Sequence, residues 1–279
     1  MKPVDVSGIR FGGGAPFVLI AGPCVIEEEG RTRDIARFLR DLAGELGIPF
    51  IFKASYDKAN RSARDSFRGP GLSEGLRILE EVRRDVGCPV LSDVHRFEEI
   101  DAAAAVLDVV QIPAFLCRQT DFVMEIARKA RVVNIKKGQF LAPWDVSNIV
   151  EKLKAAGNGR ILVTERGASF GYNNLVADFR SLPVIRSLGY PVIFDATHSV
   201  QLPGGLGTAS GGQREMVPFL ARAAAGAGLD GIFMEVHPDP DRALCDGPNS
   251  LALKDLRSLL TVLREIDRIV KRSMDTANG

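Results

Sequence analysis

Eight short runs of mostly β-branched, aliphatic and aromatic residues recur along this chain of 279 residues, with longer amphipathic stretches between them. Near-continuous apolar strands that alternate with helices are typical of a parallel sheet covered by helices. Eight such units in this length favour an α/β fold with a closed (β/α)8 barrel, the TIM barrel, over an open doubly wound sheet. The runs are Phe17 to Ala21, Pro49 to Ala54, Pro89 to Val94, Val109 to Ala114, Val132 to Lys136, Ile161 to Glu165, Pro191 to Ala196 and Gly231 to Val236.

The stretches between the runs have helical periodicity. Leu39, Leu42 and Leu46 repeat at the spacing of one helix face, and Leu256, Leu260 and Leu263 do the same near the end of the chain. No GxGxxG motif follows the first run, which weakens the dinucleotide-binding alternative. The glycines at 12–14 predict a short β-hairpin over residues 1–15 that caps the barrel, and we expect residues 1–279 to form one domain.

The charge balance excludes some classes of partner. Lys and Arg number 36 against 35 Asp and Glu, and the net charge of +1 gives no long-range field for nucleic acid or anionic lipid. No apolar run approaches the roughly 18 residues that span a bilayer, and the first residues lack the apolar core of a signal peptide. The four cysteines form no CxxC pair, which indicates reduced thiols. We therefore expect a cytoplasmic protein that binds neither nucleic acid nor membrane.

Polar side chains end every one of the eight runs. Active sites of such barrels form at the carboxyl ends of the strands. Buried charges are costly unless they are paired or bind a ligand, so eight polar strand ends predict a binding site. The residues are Cys24, Lys53, Ser55, Asp93, His95, Gln111, Arg118, Lys136, Arg166, Asp195, His198, Glu235 and His237.

Cations are concentrated at these strand ends and in the loops that follow. Arg and Lys side chains match the oxygens of phosphate and carboxylate groups, so the cluster predicts one or two small substrates with several negative charges. The alternative is a set of structural ion pairs with Asp57, Asp93, Asp121 and Glu165. The cations are Lys53, Lys58, Arg61, Arg118, Lys136 and Arg166.

A second constellation consists of Cys24, His198, Glu235 and Asp246. They follow or lie on the first, seventh and eighth runs, which are neighbours in a closed barrel. Thiolate, imidazole and carboxylate suit a divalent metal such as iron, manganese, zinc or cobalt. The alternative is a buried cysteine, a capped histidine and two ion-paired acids.

These residues lie inside long motifs. The motifs are KASYDKANRS (Lys53 to Ser62), SFRGPG (Ser66 to Gly71), IPAFLCRQTD (Ile112 to Asp121), NIKKGQFLAPWD (Asn134 to Asp145), TERGASFGYNNLVADFRSLP (Thr164 to Pro183), FDATHSVQLPGG (Phe194 to Gly205) and MEVHPDPDRALCDGP (Met234 to Pro248). From about Phe17 to the last helix, the chain closely resembles the 3-deoxy-D-manno-octulosonate 8-phosphate synthase family.

The resemblance implies a transferase that condenses phosphoenolpyruvate with D-arabinose 5-phosphate and water, and releases phosphate. Its product, 3-deoxy-D-manno-octulosonate 8-phosphate, feeds the biosynthesis of Kdo and lipopolysaccharide. The resemblance also implies a (β/α)8 barrel and a homotetramer in which a loop of one subunit helps to complete a neighbour's site.

The resemblance further implies roles for individual residues. The phosphoenolpyruvate cradle would comprise Lys53, Ser55, Lys58, Arg118, Lys136, Arg166 and the backbone of Ala114. Asn60, Arg61 and Ser62 would hold the sugar, with Arg61 and Ser62 on its phosphate. Asp93, His95 and Gln111 would line the site, and His198 would lie near the reacting centre. We expect Lys53, Lys58, Asp93, His95, Lys136 and His198 to act in catalysis.

The family has a metal-dependent and a metal-independent branch. The metal-independent enzymes carry Asn at the position of Cys24, so the resemblance places this chain among the metal users, with Cys24, His198, Glu235 and Asp246 as ligands. Residues Cys245-Asp246-Gly247-Pro248, in contrast, resemble the last loop of the metal-independent branch. We predict metal dependence and leave the identity of the metal open.

Three other functions fit parts of the pattern. The related 3-deoxy-D-arabino-heptulosonate 7-phosphate synthases use erythrose 4-phosphate and usually carry Lys-Pro-Arg-Thr where this chain has Lys58-Ala59-Asn60-Arg61. A barrel that binds a phosphorylated metabolite as a sensor would have lost part of the polar rim. A Schiff-base aldolase would use Lys136 as its nucleophile, because nearby cations depress the pKa of a lysine.

Overall fold

The computed structural model describes residues 1–61, 63–205, 207 and 210–277, and for 274–277 the backbone alone. Eight parallel strands pair in chain order, and the eighth pairs with both the first and the seventh, which closes the barrel. This confirms the predicted (β/α)8 fold. The strands are β1 (Val18–Gly22), β2 (Phe50–Lys53), β3 (Val90–Asp93), β4 (Val109–Ile112), β5 (Val133–Lys136), β6 (Ile161–Glu165), β7 (Val192–Asp195) and β8 (Gly231–His237).

One helix follows each strand and packs on the outside of the barrel. The first helix ends at Gly47, whose left-handed φ of 63° lets its N–H reach the carbonyls of Ala43 and Gly44, as in a glycine C-cap. None of the helices in the described ranges is long and apolar enough to cross a membrane. The helices are α1 (Glu29–Leu46), α2 (Leu72–Glu81), α3 (Ile100–Val106), α4 (Thr120–Lys129), α5 (Val146–Ala155), α6 (Ser181–Ser187), α7 (Val217–Ala227) and α8 (Leu256–Ala277).

The predicted hairpin closes the amino-terminal end of the barrel. Strands Val4–Val6 and Ile9–Phe11 pair antiparallel, and their buried side chains pack against an apolar layer inside the barrel. Ser7 Oγ donates a hydrogen bond to Asp108 Oδ1 at 2.6 Å, which ties the turn to the residue before β4. The apolar layer consists of Val18, Ile20, Ile51, Leu91, Val109, Val132, Leu162, Ile193 and Phe233.

The strands alternate between the interior and the helices, as side chains with a period of two must. In β1, Val18 and Ile20 belong to the interior layer, whereas Leu19 and Ala21 join the larger core beneath the helices. The last residue of β1, Gly22, has to be a glycine, because a Cβ at this position would overlap the backbone oxygen of Lys53 on β2. The side chains two residues beyond the apolar layer therefore face the interior at its carboxyl end.

Candidate active site and metal centre

A polar layer lies directly above the apolar layer in the barrel. The strands supply polar side chains two residues after the apolar ones, at Lys53, Asp93, Gln111, Asn134, Thr164, Asp195 and Glu235. Part of this layer is a hydrogen-bonded chain, because Thr164 Oγ1 donates to Asn134 Oδ1 at 2.8 Å and Asn134 Nδ2 donates to Gln111 Oε1 at 3.0 Å. The polar layer forms the floor of the candidate site.

The pocket above the polar layer collects five of the six predicted cations. Four buried carboxylates, Asp93, Asp195, Glu235 and Asp246, lie within 3.9 Å of most of these cations, so the carboxyl end of the barrel holds a dense cluster of both charges. The cations are Lys53, Lys58, Arg61, Lys136 and Arg166, and the predicted residues Asn60, Asp93, Gln111, Ala114, His198 and Asp246 also line the pocket.

Arg118 is the predicted cation that the structure does not bring into this pocket. Its side chain is exposed and lines a separate surface cavity beside Asn148 and Lys152. Its backbone oxygen accepts a hydrogen bond from Lys152 Nζ at 3.1 Å. Within one chain Arg118 therefore lies outside this pocket, because the turn that follows β4 directs its side chain outward, and its role in the cradle stays a prediction. Ser62, predicted to bind the sugar phosphate, lies outside the described residues.

Lys53 begins a hydrogen-bonded relay that leads away from the pocket. Its Nζ donates to Ser55 Oγ at 2.9 Å and to the backbone oxygen of Cys24 at 3.2 Å, and Ser55 Oγ donates to Asp93 Oδ1 at 2.5 Å. His95 Nε2 lies 3.2 Å from Asp93 Oδ2. Ser55 and His95 thus support Lys53 and Asp93 from behind the pocket wall.

The charges of this relay shift the pKa values of Asp93 and His95. Burial favours the neutral carboxyl of Asp93, but Lys53 and His95 outweigh burial and hold its pKa well below the usual range. Burial also opposes a charged His95, and the hydrogen bond with Asp93 outweighs it and raises the pKa of His95. The carboxyl group of Asp93 therefore stays ionised next to Lys53 and His95.

Asp195 joins Lys136 and His198. Its Oδ2 lies 2.6 Å from Lys136 Nζ and 2.8 Å from His198 Nδ1. Lys136 Nζ also lies 4.2 Å from the centre of the Phe233 ring. Burial lowers the pKa of His198, and Lys136 Nζ lies 3.3 Å from the same Nδ1 atom. The other ring nitrogen, Nε2, faces Glu235 and Asp246.

Two glutamines that the sequence analysis did not single out hold Arg166. Arg166 donates to Gln139 Oε1 at 3.2 Å through Nη1 and to Gln201 Oε1 at 2.9 Å through Nη2. Both glutamines also line the pocket. They lie within the motifs NIKKGQFLAPWD and FDATHSVQLPGG, so the signal was present in the sequence although neither residue carries a charge.

The four predicted metal ligands lie together, as the closed barrel requires. His198 Nε2 is 3.6 Å from Glu235 Oε1 and 3.8 Å from Asp246 Oδ2, and Cys24 Sγ is 3.4 Å from the same oxygen of Asp246. Glu235 is fully buried and neither of its oxygens accepts a hydrogen bond, although Lys53 and Lys58 are near. An anion without hydrogen bonds in a buried cluster of donor atoms fits a bound cation.

The protonation states of the cluster agree with this fit. Burial raises the pKa of Cys24 well above its ordinary value, so a metal ion would displace the thiol proton when it binds. Burial opposes ionisation of Asp246 as well, but Arg61 and Lys58 outweigh it and keep the pKa of Asp246 low. The carboxylate is therefore ready to bind a cation.

A further thiol belongs to this cluster. Cys245 Sγ, Cys24 Sγ and a carboxylate oxygen of Asp246 lie within 4.8 Å of one another. Arg61 Nη1 donates to Cys245 Sγ at 3.0 Å and to Asp246 Oδ1 at 3.2 Å. The sequence analysis noted Cys245 as a feature of the last loop without placing it at the metal site.

Comparisons with known proteins agree with the geometry. The model of the DAHP synthetase I family matches residues 1–272. A protein of Geotalea uraniireducens is 62% identical over 271 residues, which cover 97% of this chain and 100% of the relative. A protein of Alkalilimnicola ehrlichii is 59% identical over 276 residues, which cover 99% and 100%. Both relatives are named 2-dehydro-3-deoxyphosphooctonate aldolase.

Proposed function

The chain belongs to the DAHP synthetase I family, among its 2-dehydro-3-deoxyphosphooctonate aldolases, and from this premise we propose that it condenses phosphoenolpyruvate with D-arabinose 5-phosphate and water. The products are 3-deoxy-D-manno-octulosonate 8-phosphate and inorganic phosphate. The enzyme is thus a transferase of Kdo and lipopolysaccharide biosynthesis, as the resemblance in the sequence implied.

The observation that carries this proposal is the convergence of five cations on one pocket. Phosphoenolpyruvate brings a carboxylate and a phosphate, and the sugar brings a second phosphate. Fixed cations neutralise these groups, and they need no rearrangement when charge develops during the reaction. Because both substrates are held in the same cavity, orientation supplies a large share of the rate.

Arg166, Lys136 and Lys58 belong to the proposed cradle for phosphoenolpyruvate, and all three line the pocket. Gln139 and Gln201 fix the guanidinium of Arg166, so its remaining N–H groups can meet two oxygens of one anion. The pKa of Lys58 is raised, because Cys24 and Glu235 outweigh the effect of burial, and its ammonium therefore stays charged. Lys53 completes the cradle, and Ser55 supports it from behind the pocket wall.

Asn60 and Arg61 line the pocket from the loop that follows β2. We assign them to arabinose 5-phosphate, with Arg61 on the sugar phosphate. Ser62 is the next residue in the sequence and stays a prediction for the same phosphate. In this proposal the sugar and phosphoenolpyruvate share one pocket.

The reaction joins carbon 3 of phosphoenolpyruvate to the aldehyde carbon of the sugar. Water adds to carbon 2, and phosphate then leaves with cleavage of the C–O bond. Lys53, held by Ser55 and the Cys24 carbonyl, keeps its ammonium beside Asp93 in the pocket wall. His95 Nε2 lies 3.2 Å from Asp93 Oδ2 and 3.0 Å from the backbone oxygen of Asp57, and so helps to hold the carboxylate of Asp93 in place.

Cys24, His198, Glu235 and Asp246 would hold the divalent metal. Their donor atoms suit iron, manganese, zinc or cobalt. When bound, such an ion supplies Lewis-acid polarisation of a substrate oxygen. Asp195 orients the imidazole of His198 toward this position through Nδ1.

The proposal includes a cytoplasmic homotetramer. Phe115, Phe140, Trp144 and Phe170 are large apolar side chains that remain exposed in the loops after β4, β5 and β6. A surface of this kind is typical of contacts between subunits. Arg118, exposed near Phe115, would then belong to the contact region. Light scattering of the purified protein tests the tetramer.

The deciding experiment measures phosphate release from phosphoenolpyruvate by chelator-stripped protein, before and after divalent metal is restored. We expect activity with arabinose 5-phosphate that disappears on chelation and returns with metal. Faster turnover of erythrose 4-phosphate would assign the heptulosonate reaction instead. Absence of phosphate release with both sugars would favour a sensor, and trapping of Lys136 by borohydride would favour a Schiff-base aldolase.

A further inference from the structure

Two sulfur atoms, rather than one, lie at the candidate metal centre. Cys24 and Cys245 are both 4% exposed, and their sulfurs lie within 4.8 Å of each other and of a carboxylate oxygen of Asp246. Two sulfurs bound to one zinc ion at about 2.3 Å are at most about 4.6 Å apart. A separation within 4.8 Å therefore lets both sulfurs reach a single ion with at most a small movement of the side chains.

The loop after β8 presents two neighbouring side chains to the same point. Cys245 and Asp246 both contact Arg61 Nη1, at 3.0 Å and 3.2 Å. Consecutive residues of an extended strand would face opposite sides. Asp246 instead has a left-handed φ of 49°, and the turn brings both donor atoms to the cluster.

The alternative is that Cys245 only packs as a small apolar residue, since it also touches Val25 and Phe67. Its polar surroundings argue otherwise, because the same sulfur lies against a guanidinium and beside the Cys24–Asp246 hydrogen bond. The fully buried Glu235 accepts no hydrogen bond on either oxygen, although Lys53 and Lys58 lie 3.6 Å away, so its oxygens remain open to a bound cation.

We propose that Cys245 is a metal ligand together with Cys24 and Asp246, so that this chain holds its divalent ion through two thiolates. The inference rests on the metal-dependent function proposed above. It adds the sulfur of Cys245 to the four predicted ligands, which are Cys24, His198, Glu235 and Asp246. Two thiolates make the site softer, which favours zinc or cadmium over manganese.

X-ray absorption at the zinc edge tests the proposal on the intact protein, stripped and reloaded with one equivalent of Zn²⁺. We expect two sulfur neighbours at about 2.3 Å in the unaltered chain. A count of one would overturn the proposal. Because this measurement needs no variant, a substitution that fails to fold does not affect it.

The Cys245→Ser variant then identifies the second sulfur. We expect the number of sulfur neighbours of zinc in this variant to fall to one. We also expect its affinity for Cd²⁺ to fall at least ten times more than its affinity for Mn²⁺. The matched control is Cys88→Ser, a buried cysteine before β3, which should keep two sulfurs. Two sulfurs in Cys245→Ser would contradict the assignment.

The result is separable from the proposed function. Two sulfurs in a protein without synthase activity would keep the two-thiolate site and reject the synthase. One sulfur in an active, metal-dependent enzyme would keep the synthase and reject Cys245 as a ligand.

Discussion

Asp195 lies beneath His198 with its Oδ2 2.8 Å from Nδ1 of the imidazole, and both side chains are buried. This contact fixes the ring so that Nε2 faces Glu235 and Asp246. Carboxylates that accept a hydrogen bond from a ligand histidine orient it and raise its basicity. A residue outside the ligand set therefore controls the metal centre.

The Asp195→Asn variant should lose about 10- to 100-fold in metal affinity, because the amide orients and activates His198 less well. Competition with a fluorescent chelator measures this loss. Asp178→Asn, an exposed carboxylate paired with Arg180, serves as the control and should bind metal normally. Unchanged affinity in Asp195→Asn would mean that His198 needs no orientation by its neighbour.

The Cys24→Asn variant should lose its bound metal and its activity together, because it removes a ligand of the predicted set. Metal analysis and phosphate release, measured on the same preparation, check both properties. Loss of the metal with full retention of activity would exclude an essential catalytic role for the ion.

The Arg166→Lys variant should raise the KM for phosphoenolpyruvate about tenfold or more, because a lysine cannot reproduce the two-pronged guanidinium that Gln139 and Gln201 hold. A factor of ten corresponds to about 1.4 kcal/mol. Steady-state kinetics provide the measurement, with Arg180→Lys as an exposed control. A KM equal to that of the unaltered enzyme would remove Arg166 from the cradle.

The Asp93–His95 contact should give a pH-dependent share of stability. The pKa of His95 in the folded chain is raised above its ordinary value near 6.5. The folded state thus binds the imidazole proton of His95 more tightly than the unfolded state does. The resulting stabilisation is fully present below pH 6.5 and is lost as the pH rises through the pKa of His95 in the folded chain. Urea unfolding from pH 6 to 9 should show this loss, and His95→Gln should abolish it. If the free energy of unfolding changed with pH to the same extent in the unaltered chain and in His95→Gln, the assignment to His95 would be wrong.

Lys137 should be a structural lysine beside the proposed catalytic Lys136. Its buried Nζ donates to the carbonyls of Leu141 and Gly167, both at 3.2 Å, and lies 3.5 Å from Glu165 Oε1. Lys137→Met leaves a buried carboxylate unpaired and should cost about 3–5 kcal/mol of unfolding free energy. Urea denaturation measures the cost, and the exposed Lys129→Met should cost far less.

The barrel was predictable because strand runs and helical spacing are local properties. The same periodicity placed Lys53 and Glu235 on interior faces, and the closure of the barrel then brought Cys24 beside Asp246. These residues lie on strands or next to them. Sequence alone therefore carried enough information for the polar floor and for the four predicted ligands.

The residues that sequence missed or misplaced lie in loops. The direction of Arg118 depends on the turn after β4, and the position of Cys245 depends on the left-handed backbone of Asp246. Lys137 differs from Lys136 by one position, and its partners are backbone carbonyls that reach it only after two loops fold together. No spacing rule predicts such contacts.

The apolar layer under the hairpin fills the barrel between its amino-terminal end and the polar floor. The interior of such a barrel is a packed core and not a channel. Substrates and products therefore pass through the carboxyl-terminal mouth, and a molecule that occupies this mouth blocks the exchange of everything bound behind it.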